Sequence, residues 1–259
     1  MVQNVITIPC YEDIFRSNYD SSFSGDCRAQ DNEEIEFKPI QEFIDIIESE
    51  NMNYVKENVI YPLDRMYPLP SIANEKEFVE HFDSMFDEGL IKKIVDSDQK
   101  EDWEQGGRYI YLKGGSVFLS FSGKLRRLSD PSETDELERK KLIEQERSTL
   151  HESIRVYTDP EVLMNTANYI IRIDKLGYFY VRLSIWEQGQ EMSSEPLAVK
   201  ERGDSGSTGK GRIYKFVSAD KVYRVLIDYG SNNAGQSGNF TVTIGPTDVV
   251  DEVAETIAY

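Results

Sequence analysis

Alternating apolar and polar positions are clearest in the middle of the chain. Two runs rich in β-branched, aromatic and aliphatic side chains, residues 108–113 and 116–121, flank the pair Gly114-Gly115. Two consecutive glycines reach the positive φ values of the tight turns that join antiparallel strands. The pattern therefore predicts a β-hairpin.

A hairpin with this turn has two different faces. Pairing Ile110 with Leu119 and Tyr111 with Phe118 places successive side chains alternately on each face. The core-facing set is Ile110, Leu112, Val117, Leu119 and Phe121. The opposite set, half apolar and half polar, is Tyr109, Tyr111, Phe118 and Ser120. We expect helices to cover the first face.

Helical spacing dominates the residues before the hairpin. Between residues 36 and 50, apolar side chains recur three and four positions apart, which predicts an amphipathic helix. Another helix begins at Asn74, whose side chain can cap it together with Glu77, and Gly89 is expected to end or bend it. Its buried stripe is Phe78, Phe82, Met85 and Phe86. The proline-containing residues 61–70 favour a connection or an edge strand.

A third strand is expected at residues 125–128, after the turn at Gly123-Lys124. Helices followed by an antiparallel sheet predict an α+β domain in which the helices cover one face of the sheet.

This order of elements resembles the nuclear transport factor two-like superfamily over residues 36–128. The likeness lies in the helix EKEFVEHFDSMFDEGLIKKI followed by the hairpin GGRYIYLKGGSVFLSFSGKL. It implies a cone, a curved sheet around a helix-covered cavity. Members include isomerases, dehydratases and modules that only bind or dimerise. The variant most similar to this chain occurs in uncharacterised bacterial envelope proteins, which implies a periplasmic or secreted location. The residues themselves leave a cytoplasmic location open.

A strongly charged segment follows the hairpin. Asp130-Pro131 interrupts the sheet pattern, and DELERKKLIEQER carries charge pairs at helical spacing. We interpret residues 129–150 as a helical linker. The chain then divides into an irregular segment at 1–35, the α+β domain at 36–128, the linker, and a second domain at 151–259.

Beyond the linker the period of the pattern shifts to two. Short strands separated by Gly, Ser, Asn and Pro are typical of an all-β sandwich or barrel. In residues 178–186, Phe179, Val181, Leu183 and Ile185 point one way, and Tyr178, Tyr180, Arg182, Ser184 and Trp186 the other. We expect strands at 153–157, 169–174, 178–186, 197–200, 212–217, 221–229 and 239–244. We also expect a mobile loop at 203–211 and a closing helix at 247–258.

Charge and composition narrow the choice of partners. The net charge of −18 makes duplex nucleic acid and anionic membranes unsuitable partners, because phosphate binding requires a positive surface. No apolar run approaches the roughly 20 residues of a membrane-spanning helix, which predicts a soluble protein without membrane insertion. Residues 1–9 lack the pattern of a secretory signal, so either none was present or it has been removed. Cys10 and Cys27 form either a disulfide or two free thiols.

Familiar reaction motifs are missing or incomplete in the sequence. The glycine-rich residues 203–211 lack the spacing of a phosphate-binding loop. His81 and His151 are the only histidines, so neither a zinc site nor a histidine-dependent hydrolase is indicated. We therefore expect no metal and no cofactor. One enzymatic option remains, an acid–base pair in the cone's cavity, formed by Tyr61, Tyr109 or Tyr111 with Asp83 or Asp87.

The first functional hypothesis is a non-enzymatic binding or assembly module of the bacterial cell envelope. Two rows of amphipathic aromatic side chains are its candidate binding residues. They are Tyr109, Tyr111 and Phe118 on the first sheet and Tyr178, Tyr180 and Trp186 on the second. The partner, a protein or a small molecule, is not specified, and a homodimer is one outcome that the sequence leaves open. The alternative is an isomerase or dehydratase that acts on a small apolar substrate.

Overall fold

The computed structural model describes residues 37–106, 109–208, 211–228 and 237–258. Within these ranges the helices are α1 (Phe37–Glu48), α2 (Met52–Glu57), α3 (Glu75–Met85), α4 (Glu88–Val95) and α5 (Glu133–Thr149). The strands of the first half are β1 (Val59–Asp64), β2 (Trp103–Gly106), β3 (Tyr109–Leu112), β4 (Val117–Leu119) and β5 (Leu125–Leu128). Those of the second half are β6 (Asp159–Thr166), β7 (Tyr169–Leu176), β8 (Tyr180–Glu187), β9 (Ala198–Thr208), β10 (Gly211–Ser218), β11 (Lys221–Asp228), β12 (Ser237–Ile244) and β13 (Thr247–Ala258). The predicted α+β class is confirmed.

The β3–β4 hairpin forms in the predicted register. Ile110 pairs with Leu119 and Tyr111 with Phe118. The turn glycines, Gly114 and Gly115, have φ of 91° and 74°, a region that side chains rarely occupy. Phe121 was expected to face the core, but it lies beyond the end of β4 and is exposed.

The first sheet has the strand order β1-β5-β4-β3-β2. Its pairings are antiparallel from β2 to β5, whereas β1 pairs with β5 in parallel. The proline-containing segment thus contributes an edge strand, one of its two predicted roles. A parallel pairing was not predicted, although the helices between β1 and β5 provide the long crossover that parallel strands require.

Helices α1, α3 and α4 share one apolar core with the sheet. The predicted cap is present, because Asn74 Oδ1 accepts a hydrogen bond from Glu77 N at 3.1 Å. Helix α3 ends at Met85, and Gly89 lies inside α4, so the predicted break comes before the glycine rather than at it. The core joins the helical stripe to the predicted face of the hairpin, and includes Phe78, Phe82, Phe86, Ile110, Leu112, Val117 and Leu119.

The second half of the chain is a closed barrel of eight strands. Each strand from β6 to β13 pairs antiparallel with the next, and β13 pairs with β6. Of the two predicted architectures, the barrel is therefore correct and the sandwich is wrong. A sandwich would leave edge strands, whereas the pairing of β13 with β6 removes them.

Several predicted elements of this half are wrong. Residues 247–258 form β13 rather than a helix, because pairing with both β12 and β6 outweighs a helical spacing of valines. Residues 203–208 belong to β9 and not to a loop. The strand expected at 153–157 is replaced by a short 3₁₀ helix, Glu152–Ile154, and β6 was not predicted.

The interior of the barrel is filled by side chains. Its core contains four large aromatic rings, Tyr214, Phe216, Tyr223 and Phe240, together with aliphatic residues. Phe216 packs directly on Gly203, where an added Cβ would lie 2.1 Å from the ring. Eight strands enclose a space just wide enough for such a filling. The interior of this barrel is therefore a packed core and not an open cavity.

We expect Gly203→Ala to lower the free energy of unfolding by about 1–3 kcal/mol, because its methyl group would overlap Phe216. Urea unfolding measures this change. Gly206→Ala is the matched control in the same strand, since its Cβ would lie 3.7 Å from Ile213 Cγ2, an ordinary contact. Equal stabilities of the two variants would show that the barrel is loosely packed at Phe216.

Candidate functional site

The aromatic row of the first sheet is assembled as the sequence predicts. Tyr109, Tyr111 and Phe118 lie side by side and are each partly exposed. Phe118 contacts Tyr109 edge-on, with ring centroids 6.2 Å apart, and Tyr111 at 5.7 Å. The Tyr111 hydroxyl donates to Glu104 Oε2 at 2.9 Å. These side chains form one continuous patch opposite the helix-covered face.

The β7–β8 hairpin carries the most exposed aromatic side chains of the barrel. Tyr178 is 100%, Phe179 87% and Tyr180 51% exposed. Gly177, with φ of 78°, makes the turn that holds them at the end of the hairpin. Phe179 was expected to point the same way as Val181 within one strand, but β8 begins only at Tyr180. We call Tyr178, Phe179 and Tyr180 the aromatic tip.

Trp186, the third candidate binding residue of the second sheet, is not exposed as Tyr178 and Tyr180 are. It is fully buried in a small apolar cluster with Ile143 of α5, Leu150 and Ile154. Its indole nitrogen donates to the carbonyl of Ser194 at 3.0 Å. Trp186 does lie outside the barrel core, as the alternation predicts, but α5 and the residues after it cover that part of the wall.

A buried network of charges lies on the same outer wall. Asp174 on β7 accepts ion pairs from Arg172 at 2.7 Å and from Arg182 at 2.8 Å, and all three side chains are buried. Burial raises the pKa of the Asp174 carboxyl, while the positive charges of the two arginines oppose that shift. Arg182 also donates to the carbonyl of Val156 at 3.0 Å.

This network connects the barrel with α5 and with the α+β half. Arg172 pairs with Glu146 of α5 at 2.7 Å, and the Tyr67 hydroxyl, which precedes α3, donates to the same carboxylate. Burial and the charge of Glu146 raise the pKa of Tyr67 well above its ordinary value, so its hydroxyl keeps its proton. A second link runs from Arg139 to Asp159 at 2.7 Å. The predicted linker helix is thus packed against its neighbours through partly buried ion pairs.

A second polar cluster lies at the rim of the barrel where β6 begins. Glu161 is the extra residue of a β-bulge between the pairs Pro160–Asp174 and Val162–Ile173. Bulges at barrel rims redirect a side chain away from the regular alternation. Glu161 Oε1 accepts from Lys175 at 2.7 Å and from Arg212 at 3.3 Å. Sequence reasoning missed this cluster because it did not predict β6.

Two of the residues proposed for acid–base chemistry, Asp87 and Tyr61, have structural partners. Asp87 caps α4 by accepting from Leu90 N at 2.8 Å, and its other oxygen accepts from Glu133 N at 2.9 Å. Tyr61 donates to the carbonyl of Lys56 at 3.1 Å, and burial raises its pKa to about 12. Asp83 is exposed. Asp87 and Tyr61 therefore have structural roles, whereas Asp83 lies on the surface.

One cleft lies between residues 64–71 and the end of β13, which contributes Ile257 and Ala258. Its volume is about 100 Å³. Pockets for substrates and cofactors usually measure about 300–1,000 Å³. The cleft is therefore large enough for a few water molecules but not for a typical substrate.

Neither a metal-ion site with three ligands nor a membrane-spanning helix occurs among the described residues. There, no three carboxylate, histidine or cysteine side chains converge on a point that could hold a metal ion. No helix in these ranges is both long and apolar enough to cross a membrane. Cys10 and Cys27 lie outside the described residues, so their pairing stays a prediction.

No family model, curated protein or solved structure matches this chain. The geometry of its own residues is therefore the basis for any proposal of function.

We expect Arg172→Met to lower the free energy of unfolding by about 3–5 kcal/mol, because it removes one partner from a buried ion pair. Chemical denaturation monitored by tryptophan fluorescence measures the loss. Lys140→Met is the control, since its pair with Glu136 is exposed on α5 and should contribute little. If the two variants are equally stable, the buried network does not hold these parts together.

Proposed function

We propose that this protein is a non-enzymatic binding module whose main contact surface is the aromatic tip. The observation that carries the proposal is the exposure of Tyr178, Phe179 and Tyr180, three consecutive large aromatic side chains. Contiguous exposed apolar patches mark interaction sites more often than the scattered apolar residues of an ordinary surface. Tyrosine and phenylalanine also contribute much of the contact energy at protein interfaces.

The supporting scaffold is suited to binding. A short turn with Gly177 presents the tip from two strands that pair over eight residues, from Tyr169–Glu187 to Leu176–Tyr180. The outer wall of the same strands is fixed by the buried pairs of Arg172 and Arg182 with Asp174. A contact surface on a rigid element loses little conformational entropy when a partner binds.

The alternative, a cavity enzyme, has weaker support. Asp87 is engaged as a helix cap and Tyr61 in a local hydrogen bond. The cleft beside residues 64–71 is also smaller than a usual substrate pocket. A binding role needs neither a cavity nor a free acid–base pair.

We further propose that residues 36–128 form a cone of the nuclear transport factor two-like type and that the protein acts in the bacterial cell envelope. The support is the resemblance in sequence together with an order of elements in which helices and a five-stranded sheet share one core. In such a domain the row of Tyr109, Tyr111 and Phe118 would be a second contact surface.

The aromatic tip is tested with N-phenyl-1-naphthylamine, a neutral aromatic probe that stands in for the apolar part of a partner. We expect saturable binding to the intact protein and a decrease in affinity of at least about tenfold in Tyr178→Ser/Phe179→Ser. Fluorescence titration measures both. Val217→Ser removes an exposed apolar side chain from β10 and should bind like the intact protein. Unchanged binding by the double variant would refute the proposal.

The first-sheet row is tested by self-association. Tyr109→Ser/Tyr111→Ser should shift sedimentation towards smaller species at a given concentration, because it removes two aromatic rings from the patch around Phe118. Exposed Tyr54→Ser on α2 is the control. A sedimentation profile identical to that of the control would remove the row from the proposed contact surfaces.

A further inference from the structure

The outer wall of the barrel exposes apolar side chains on β11 and β13. Successive side chains of a strand point to opposite faces. Val225 and Ile227 lie in the barrel core, so Leu226 between them points outward, and it is 38% exposed. Val253 on β13 is 69% exposed. An antiparallel sheet that faces water usually presents polar side chains on that face. These two residues therefore indicate a contact surface.

Leu226 and Val253 belong to one row of side chains across three strands. Leu226 pairs with Asn239 of β12, and Asn239 pairs with Val253. Side chains directly opposite each other on neighbouring strands lie about 5 Å apart. The row is thus a continuous surface with an apolar side chain on each outer strand and a polar one in the middle.

The adjacent row carries opposite charges at its two ends. Arg224 of β11 pairs with Thr241 of β12, which pairs with Asp251 of β13. Arg224 donates to Thr243 Oγ1 at 2.9 Å, and Asp251 Oδ1 accepts from Asn239 Nδ2 at 2.8 Å. Among the described residues, neither charged group has a partner of opposite charge. Both charges remain available to a second molecule.

The two rows are complementary to themselves about β12. A second copy related by a two-fold axis along β12 places its β13 opposite β11 and its β11 opposite β13, with each row facing the same row. Leu226 of one copy then faces Val253 of the other. Arg224 faces Asp251 in the same way. Each contact forms twice, because a two-fold axis exchanges the two copies.

The charges select this axis over the other two-fold arrangement of the same wall. An axis across the strands would place β11 opposite β11 and β13 opposite β13. Arg224 would then face Arg224, and Asp251 would face Asp251. Like charges brought together at an interface cost several kcal/mol. Only the axis along β12 brings opposite charges and apolar side chains together.

We propose that this wall binds a second copy of the chain, so that β11, β12 and β13 of two barrels pack face to face in a symmetric dimer. The dimer leaves the aromatic tip free, because β8 is four places from β12 in the ring of eight strands. Each copy has a net charge of −18, so the local contacts must outweigh a general repulsion. At about 0.15 M salt that repulsion is screened beyond about 8 Å.

The test is sedimentation velocity of the full chain and of two charge reversals. We expect the intact protein to dimerise at this salt concentration. Arg224→Glu and Asp251→Arg should each weaken the dimer at least about tenfold, because each places two pairs of like charges across the axis. An equimolar mixture of the two variants should recover the dimer. In the mixed pair, the introduced glutamate faces the introduced arginine, and the unchanged Asp251 faces the unchanged Arg224.

Two further variants control for charge and for folding. Lys215→Glu makes the same change of charge on β10, one strand outside the proposed contact, and should leave the dimer nearly unchanged. Leu226→Ser/Val253→Ser removes the apolar contacts without altering charge, and should also weaken the dimer at least about tenfold. Thermal unfolding shows whether each variant is folded, and the apolar variant keeps the test decisive if a charge reversal is not.

The outcomes separate this inference from the proposed function. The dimer is refuted if the intact chain is monomeric at about 100 μM, or if mixing two folded charge reversals fails to recover association. A dimer that survives both reversals but is lost in Tyr109→Ser/Tyr111→Ser would assign association to the first sheet instead. In all these cases, binding of N-phenyl-1-naphthylamine at the aromatic tip stays a separate measurement, since Arg224→Glu should leave it unchanged.

Discussion

The hydrogen bonds between β13 and β6 determine the fold of the second half of the chain, because they close its barrel. They join the last strand to the first, so that the described barrel has no free edge to pair with another chain. Closure also fixes which residues face inward, because every strand must present its alternate side chains to one shared interior. The close contact of the Phe216 ring with Gly203 shows how tightly that interior is packed. The rims and the outer wall are then the surfaces that the barrel exposes.

The outer wall near β7 and β8 contacts both α5 and the α+β half of the chain. A strand alternates between two environments, and here both are buried: Ile173 and Leu183 lie inside the barrel, whereas Asp174 and Arg182 lie beneath α5 and the residues that follow it. Burying these charges is tolerable because they pair with one another. The pairs with Glu146 and Tyr67 make the position of α5 depend on both halves of the chain.

Elements that neighbouring residues specify were predicted correctly. The errors concern elements whose structure depends on residues distant in sequence. Gly114-Gly115 and Asn74 specify a turn and a cap through neighbouring residues alone, and both form as predicted. Residues 247–258 became a strand because β12 and β6 pair with them. Strand β6 itself has Pro160 as its second residue and carries a bulge at Glu161 that obscures its alternation. The burial of the charges had no local signal, because Arg172, Asp174 and Arg182 alternate with apolar residues, which is the pattern of a strand with one face in solvent.

A filled barrel constrains where a ligand can bind. Since the interior is occupied by rings such as Tyr214 and Phe216, any ligand would contact side chains outside this core. At one mouth of the barrel, a bulge in β6 turns the carboxylate of Glu161 towards Lys175 and Arg212. The same register that places Lys175 opposite Val181 places the aromatic tip beside it, so charge and apolar surface are brought together by one hairpin.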